Sequence, residues 1–207
     1  MRDDDLDFVL PALRRRGVEV EVPAWTAPGV DWGAFDLIVL SSTWDYHRLE
    51  AEFREWVADV DHGGRLRNAG HAVAWNVDKR YLRELEDAGV PTIPTIWTEV
   101  GSEDEIERTV AELGWGDVIL KPRVDRGAER LARVETATVG RILRALDAPG
   151  MAQPFLSSVE KVGELSLVYL GGELSHAVRK APGRGDFRVQ PQYGGTQQRI
   201  DPPAAIV

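Results

Sequence analysis

The chain has 207 residues, of which 43% are hydrophobic and 29% charged, so it contains enough apolar material for a folded core. Acidic residues outnumber basic ones by 34 to 25, and the net charge of −9 argues against a general nucleic-acid binder, which needs many Lys and Arg to neutralise phosphates. The absence of cysteine excludes disulfides and thiol catalysis, and no apolar run approaches the roughly 18 residues that span a bilayer. We therefore expect a cytoplasmic protein that binds neither membrane nor nucleic acid.

The N-terminal part of the chain predicts a small α/β unit. Apolar residues at helical spacing predict a helix at 6–13, in which Pro11 requires a late start or a kink. Alternating valine and glutamate predict a half-exposed strand at 18–22, and the apolar run 37–40 predicts a strand buried on both faces of a parallel sheet. A helix is predicted at about 49–60, and this order of elements is typical of an α/β unit.

The middle of the chain predicts a second set of alternating helices and strands. Asp78 is the predicted N-cap of a helix that Gly89 ends. The elements that follow are a strand at 92–98, a Ser102-capped helix ending at Leu113, strands at 118–121 and 131–134, and a helix at 139–146.

From Met151 onward the pattern changes to strands and turns. Runs at 165–170 and 174–178 flank Gly171 and Gly172, which predict a β-hairpin. The last eight residues predict no closing element, and a first strand is also missing from the N-terminal unit. We therefore expect a fragment of a longer protein, cut at both ends.

Seven short motifs follow one another between about residues 36 and 195. They are STWDY (42–46), WNVDKRYL (75–82), ILKP (119–122), MAQPFL (151–156), GELS (163–166), SHAVRK (175–180), and GDFR (185–188) through Gly194 and Gly195. In this order they resemble the ATP-grasp superfamily of carboxylate–amine ligases, in particular the branch of bacterial glutathione synthetases and cycloserine-forming ligases. The resemblance implies an ATP-grasp fold of mixed α/β and α+β class. It also implies three parts: an N-terminal α/β pre-ATP-grasp unit (1–75), a small α+β subdomain (76–150) and an incomplete C-terminal antiparallel-β subdomain (151–207).

Two lysines are candidates for holding the phosphates of ATP. Transfer of a γ-phosphoryl group depends on positioning and on cations that offset the charge of the triphosphate. Lys121 ends a buried strand, and Lys79 stands in the first turn of a predicted helix, where free N–H groups also favour anions. The resemblance implies phosphate contacts for both. The alternatives are a solvated helix residue for Lys79 and a strand-end side chain reaching water for Lys121.

The resemblance implies that Gln153, Pro154, Phe155 and Leu156 form the hinge that recognises adenine. An extended segment can grip a base with backbone groups and apolar side chains, and Pro154 favours an extended conformation at Gln153. Glu164 matches the acidic residue that accepts hydrogen bonds from ribose hydroxyls. Its alternative is an ordinary carboxylate at a strand edge.

The segment from Lys161 to Arg199 carries six basic residues against three acidic ones, which suits a small anion. Arg179 resembles the arginine that steadies phosphate or acyl-phosphate oxygens, a task that suits a planar guanidinium. Arg188 is expected on a loop over the substrates, and these two are the candidate catalytic residues. Lys180 is interpreted as a surface residue and His176 as structural.

Ser42, Thr43 and Asp45 are candidates for holding the amine or carboxylate substrate. They follow a predicted strand, and ligands of open α/β sheets collect beyond the carboxyl ends of strands. In the alternative, Trp44 and Tyr46 pack while Asp45 caps the next helix.

Two features depart from the family pattern. The loop at 124–130, where the family has a glycine-rich segment, contains only Gly127. After Gly195 the chain offers only Asp201 as an acid, so no metal ligand is assigned, and the ligands of Mg²⁺ are expected in a missing C-terminal segment.

The sequence favours an ATP-binding carboxylate–amine ligase, or a fragment of one. Such an enzyme makes an acyl phosphate, passes the acyl group to an amine, and releases ADP and phosphate. The alternatives are a nucleotide-binding module without catalysis and an ATP-grasp-like fold that serves only as an interaction domain. The expected cofactors are ATP and Mg²⁺, and the expected partners are a small carboxylate and a small amine. Homo-oligomer formation is left open.

Overall fold

The computed structural model describes residues 3–202, and the chain divides into two compact units, residues 1–92 and 93–207. Residues 203–207, which make up most of the predicted unclosed end, lie outside the described residues. The three-part division at 75/76 and 150/151 stays a prediction. Its first boundary falls inside a helix and its second inside a strand of the structure.

Among its described residues, the first unit contains a short parallel sheet and four α-helices. The helices are α1 (Leu6–Arg14), α2 (Glu50–Val60), α3 (Gly70–Val77) and α4 (Tyr81–Asp87), and the strands are β1 (Ile38–Val39) and β2 (Leu66–Arg67). β1 and β2 pair in parallel, with Ile38 opposite Leu66. The helix predicted at 6–13 is confirmed by α1, which contains Pro11.

The apolar face of α2 forms much of the core of this unit. Phe53, Val57 and Val60 are buried at helical spacing, as predicted for the helix at 49–60. The ring of Trp25 lies 5.3 Å from that of Phe53 and 6.0 Å from that of Trp56. Aromatic burial therefore anchors α2 to the loop that precedes β1.

One strand prediction in this unit is wrong, because residues 18–22 form no strand. The run 37–40 forms a strand of a parallel sheet, as predicted, but β1 has only two residues, and Leu37 and Val39 are 53% and 63% exposed. Alternation shows that a segment suits a pleated surface, but a strand also needs a neighbour to hydrogen-bond. In the part of the chain that the structure describes, β1 pairs with β2 alone.

The second unit begins with an antiparallel four-stranded sheet. Its elements are β3 (Ile96–Thr98), α5 (Glu103–Glu112), β4 (Asp117–Pro122), β5 (Ala132–Glu135), α6 (Val139–Leu146) and β6 (Gly150–Pro154). The strand order is β3-β6-β4-β5. Helices α5 and α6 cover one face of this sheet and form its core. The buried members of the core are Ile106, Val110, Val118, Leu120, Val139, Leu143 and Ala152.

A second antiparallel sheet follows the short helix α7 (Ser158–Lys161). Its strands are β7 (Glu164–Leu170), β8 (Glu173–Ala181) and β9 (Thr196–Ile200), in the order β7-β8-β9. Gly171 and Gly172 join the first two strands with φ of +62° and +87°, a conformation that favours glycine. The predicted hairpin is therefore confirmed.

The core between the four-stranded sheet and its helices predicts that two leucine-to-alanine substitutions lower the free energy of unfolding by very different amounts. Leu120 is fully buried, whereas Leu113, at the end of α5, is 54% exposed. Leu120→Ala leaves a cavity and should lower the free energy of unfolding by about 2–5 kcal/mol. Urea unfolding measures this loss, and Leu113→Ala is the matched control. Equal losses in the two variants would contradict the described core.

Candidate functional site

The second unit contains a cavity of about 140 Å³ beside the four-stranded sheet. It brings together seven of the predicted site residues, which are Lys121, Gln153, Pro154, Phe155, Leu156, Glu164 and Arg188. Further apolar side chains line it, including Ile93, Ile119, Leu131, Val159, Phe187 and Val189. Lys121 and the predicted base and ribose residues therefore line one cavity, whereas Arg179 does not line it.

The pairing of β4 with β6 decides which side chains reach the cavity. Ile119 lies opposite Gln153, and Lys121 lies opposite Met151. Because side chains alternate along a strand, Ile119, Lys121 and Gln153 share one face. The residues between them, Leu120 and Ala152, belong to the core on the other face.

Phe155 forms an apolar wall of the cavity and is held by its neighbours. The guanidinium carbon of Arg133 lies 3.6 Å from the centre of its ring, and Phe187 meets that ring edge-on at 5.9 Å. Arg133 donates to Asp117 at 2.8 Å and to Glu160 at 2.6 Å. These bonds fix the cation that stacks on Phe155.

Arg188 lines the cavity within a compact group of loop residues. It donates to Asp186 at 2.7 Å, and its guanidinium carbon lies 3.5 Å from the centre of the Tyr193 ring. Hydrogen bonds from the side chain and backbone of Arg188 hold the pKa of Asp186 well below its ordinary value. Arg188 is thus a positioned cation at the cavity.

The loop after β4 contacts the loop that carries Arg188. Gln192 donates to the carbonyl oxygen of Gly127 at 3.2 Å, and the Tyr193 hydroxyl donates to that of Ala128 at 3.4 Å. Gly127 and Ala128 have φ of +64° and +60°. Although this loop has only one glycine, it adopts two successive left-handed conformations next to the cavity.

Glu164 and Arg179 lie on opposite faces of the second sheet. Glu164 lies directly opposite Lys180 in the β7–β8 pair, and Leu165 lies opposite Arg179. Alternation therefore puts Lys180, and not Arg179, on the face of Glu164, which lines the cavity. Arg179 is exposed and donates to Gln198 at 3.0 Å on β9. Arg179 therefore lies on the face of the sheet opposite to Glu164, and its predicted role at phosphate oxygens stays a prediction.

Sequence reasoning interpreted Lys180 as a surface residue and missed Gln190. Counting the strand alternation back from Glu164 across the hairpin could have placed Lys180 on the face of Glu164. Gln190 lines the cavity, and its buried Oε1 atom has no hydrogen-bond partner among the described residues. A buried acceptor of this kind is costly unless a donor reaches it, as a ligand could. No sequence signal marked Gln190.

The remaining predicted site residues belong to the first unit. Lys79 lies in the turn between α3 and α4, and Arg80, not Asp78, is the N-cap of α4. The predictions of a helical Lys79 and of an Asp78 cap are therefore wrong. Asp78 is buried and accepts from the backbone N–H of Arg80 at 2.9 Å and from its Nε at 2.9 Å. These bonds tie the carboxylate to the turn before the helix.

Ser42, Thr43 and Asp45 follow β1, as expected of substrate candidates. Ser42 has a left-handed φ of +58°, and its hydroxyl donates to the carboxylate of Asp3. Asp45 accepts from the indole of Trp25 at 2.7 Å and makes no side-chain cap for the short helix that follows. Asp45 thus occupies the N-cap position of that helix, as in the structural alternative, but its carboxylate bonds Trp25 and not the helix.

The described residues assign no set of ligands for magnesium. Within residues 3–202, no group of three or more His, Asp or Glu side chains is arranged to hold a metal ion. Mg²⁺ usually requires one or two carboxylates in an octahedral shell together with water or phosphate oxygens. The expected ligands of Mg²⁺ thus stay a prediction.

The N-terminal third of the chain matches a known family. The family model of the N-terminal domain of D-cycloserine synthetase DcsG matches residues 1–68. The chain is 33% identical over 188 residues to the cycloserine biosynthesis protein DcsG of Streptomyces lavendulae, covering 86% of this chain and 62% of that protein. It is 35% identical over 114 residues to the glutathione synthetase of Anaplasma centrale, covering 52% of this chain and 35% of that enzyme. The chain thus spans less than two thirds of either relative.

Solved structures resemble the chain over nearly its whole length. The crystal structure of D-cycloserine synthetase DcsG superposes with a TM-score of 0.82 and 28% identity, over 97% of this chain and 71% of that one. The ATP-grasp ligase PsnB gives a TM-score of 0.65 at 22% identity, over 99% of this chain and 75% of that one. The predicted ATP-grasp fold class is confirmed by these likenesses, and the chain belongs to the ATP-grasp superfamily.

Proposed function

We propose that the chain provides the nucleotide-binding part of an ATP-dependent carboxylate–amine ligase. The observation that supports this most directly is the cavity, which combines a lysine, an apolar wall and a carboxylate. Lys121 suits phosphate, Phe155 and Leu156 suit the faces of a base, and Glu164 suits ribose hydroxyls. Three separate segments of the chain supply these groups.

The proposed reaction has two steps. The γ-phosphoryl group of ATP passes to a carboxylate oxygen of the substrate, giving ADP and an acyl phosphate. An amine nitrogen then attacks the acyl carbon, loses a proton and expels phosphate, so that a carbon–nitrogen bond forms. Phosphoryl transfer relies on positioning and electrostatic stabilisation, for which this chain offers Lys121, Lys180 and Arg188 as candidate cations.

Arg188 also suits the binding of acyl-phosphate oxygens, the role that the sequence predicted for Arg179. A planar guanidinium binds two oxygens at once, and its bonds to Asp186 fix its orientation before a ligand arrives. Lys79 stays a proposed phosphate ligand. ATP with Mg²⁺ is the proposed cofactor pair, although no ligand set for the metal is assigned to this chain.

The proposed substrates are a small carboxylate and a small amine, with Ser42, Thr43 and Asp45 as the residues that hold them. Their position directly after β1 supports this choice, because ligands of open α/β sheets collect beyond the carboxyl ends of strands. Within the described residues no helix is long and apolar enough to cross a membrane. A cytoplasmic location and the oligomeric state stay predictions.

A nucleotide-binding module without catalysis is the second candidate. It is favoured by one observation, the lack of a metal-binding group of side chains within residues 3–202. A ligase releases phosphate from ATP only when both carboxylate and amine are supplied, whereas a binding module releases none. This dependence distinguishes the two candidates.

Substitution of Lys121 tests the nucleotide site. Loss of its ammonium should weaken ADP binding by about 10- to 150-fold, because charge-assisted hydrogen bonds contribute about 1.5–3 kcal/mol. Isothermal titration calorimetry measures the affinity, and Lys161→Ala, at the exposed end of α7, is the matched control. Unchanged ADP affinity in Lys121→Ala would refute the assignment.

Substitution of Lys180 and of Arg179, which are neighbours on β8, tests which face of the second sheet contacts the nucleotide. Lys180→Ala should weaken ADP binding by about tenfold, whereas Arg179→Ala should leave it nearly unchanged. Each variant removes one positive charge from the same strand, so a general electrostatic effect would lower both affinities equally. The reverse order would restore Arg179 as the phosphate ligand.

A further inference from the structure

Gln153 is a buried amide in the wall of the cavity, with only 4% of its surface exposed. Its Nε2 atom donates to the hydroxyl of Thr95 at 2.8 Å. The hydroxyl of Thr95 in turn donates to the carbonyl oxygen of Ile93 at 2.8 Å. Three residues thus form a short chain of hydrogen bonds that ends at the cavity.

This chain of hydrogen bonds fixes the orientation of the amide. A threonine hydroxyl has one proton, and that of Thr95 is used on the carbonyl of Ile93. The hydroxyl can therefore only accept a hydrogen bond from Gln153, so the NH₂ group of the amide must face Thr95. A reversed amide would bring two acceptor oxygens together without a proton between them. Thr95 thus selects one of the two orientations of Gln153.

The opposite end of the amide, Oε1, is left as an acceptor. The Nε2 atom of Gln153 donates to Thr95, but within residues 3–202 no side chain donates a hydrogen bond to its Oε1 atom. Gln153 lies opposite Ile119 in the sheet, and both residues line the cavity, as does Ile93. A ligand in the cavity can therefore donate a hydrogen bond to Oε1.

We propose that Thr95 is a positioning residue for base selection, acting through the fixed amide of Gln153. This inference rests on the proposed nucleotide site. Adenine carries an exocyclic amino group that donates hydrogen bonds, whereas guanine carries the acceptor O6 at the same position. An amide oriented by Thr95 accepts from adenine and repels guanine. The backbone carbonyl of Ile93 thereby contributes to the choice of nucleotide without touching the base.

Thr95→Val tests this role, because valine keeps the branched shape and removes the hydroxyl. Calorimetric affinities for ADP and GDP are measured for each variant, and their ratio is the readout. We expect the preference for ADP over GDP to fall by about tenfold in Thr95→Val, since the amide is then free to reverse. Thr95→Ser, which retains the hydroxyl, should keep the ratio of the unmodified protein. Thr109→Val, which removes a hydroxyl bonded within α5, should also keep it.

The outcomes separate this inference from the proposed function. An unchanged ADP-to-GDP ratio in Thr95→Val overturns the inference while leaving the nucleotide site intact. An equal loss of affinity for both nucleotides also overturns it, since a merely structural role would act in that way. If the unmodified protein binds neither nucleotide, the proposed function fails and the inference with it. Should Thr95→Val not fold, Thr95→Ala removes the hydroxyl without adding a methyl group, and the same ratio decides.

Discussion

Side chains alternate between the two faces of a strand, and the pairing of β4 with β6 uses both faces. On one face Leu120 and Ala152 meet the helices α5 and α6 in a closed apolar core. On the other face Lys121 and Gln153 reach the cavity. A shift of this register by one residue would move the polar side chains into the core and the apolar ones to the cavity. The burial of the core therefore fixes the position of the candidate ligand groups.

The cavity walls depend on contacts between segments that are far apart in sequence. Arg133 on β5 stacks on Phe155 and joins Asp117 to Glu160, so one guanidinium connects β4, β5, α7 and the hinge. Gln192 and Tyr193 bond the loop after β4, 65 residues away. Such bonds position groups before a ligand arrives, which reduces the entropy lost on binding. The arrangement is consistent with the proposed binding of a nucleotide.

Sequence patterns predicted correctly the elements that depend on neighbouring residues. The two glycines of its turn predicted the hairpin around Gly171 and Gly172, and the spacing of apolar residues predicted α6 with the bounds that the structure shows. The strand at 18–22 failed because alternation cannot supply a partner strand. The grouping of Lys121, Gln153 and Glu164 was predicted through a family resemblance, whereas the position of Lys180 on the face of Glu164 required the register of β7 with β8. The hydrogen bond from Gln153 to Thr95 joins residues 58 apart, which no local pattern reveals.

The proposed function requires that the cavity of the second unit bind the base and ribose of an adenine nucleotide. A crystal structure of the protein with ADP would show where the nucleotide binds. We expect the adenine to lie in the cavity against Phe155, with its amino group within hydrogen-bond distance of Gln153 Oε1 and its ribose beside Glu164. ADP bound elsewhere, with this cavity empty of nucleotide, would contradict the proposed function.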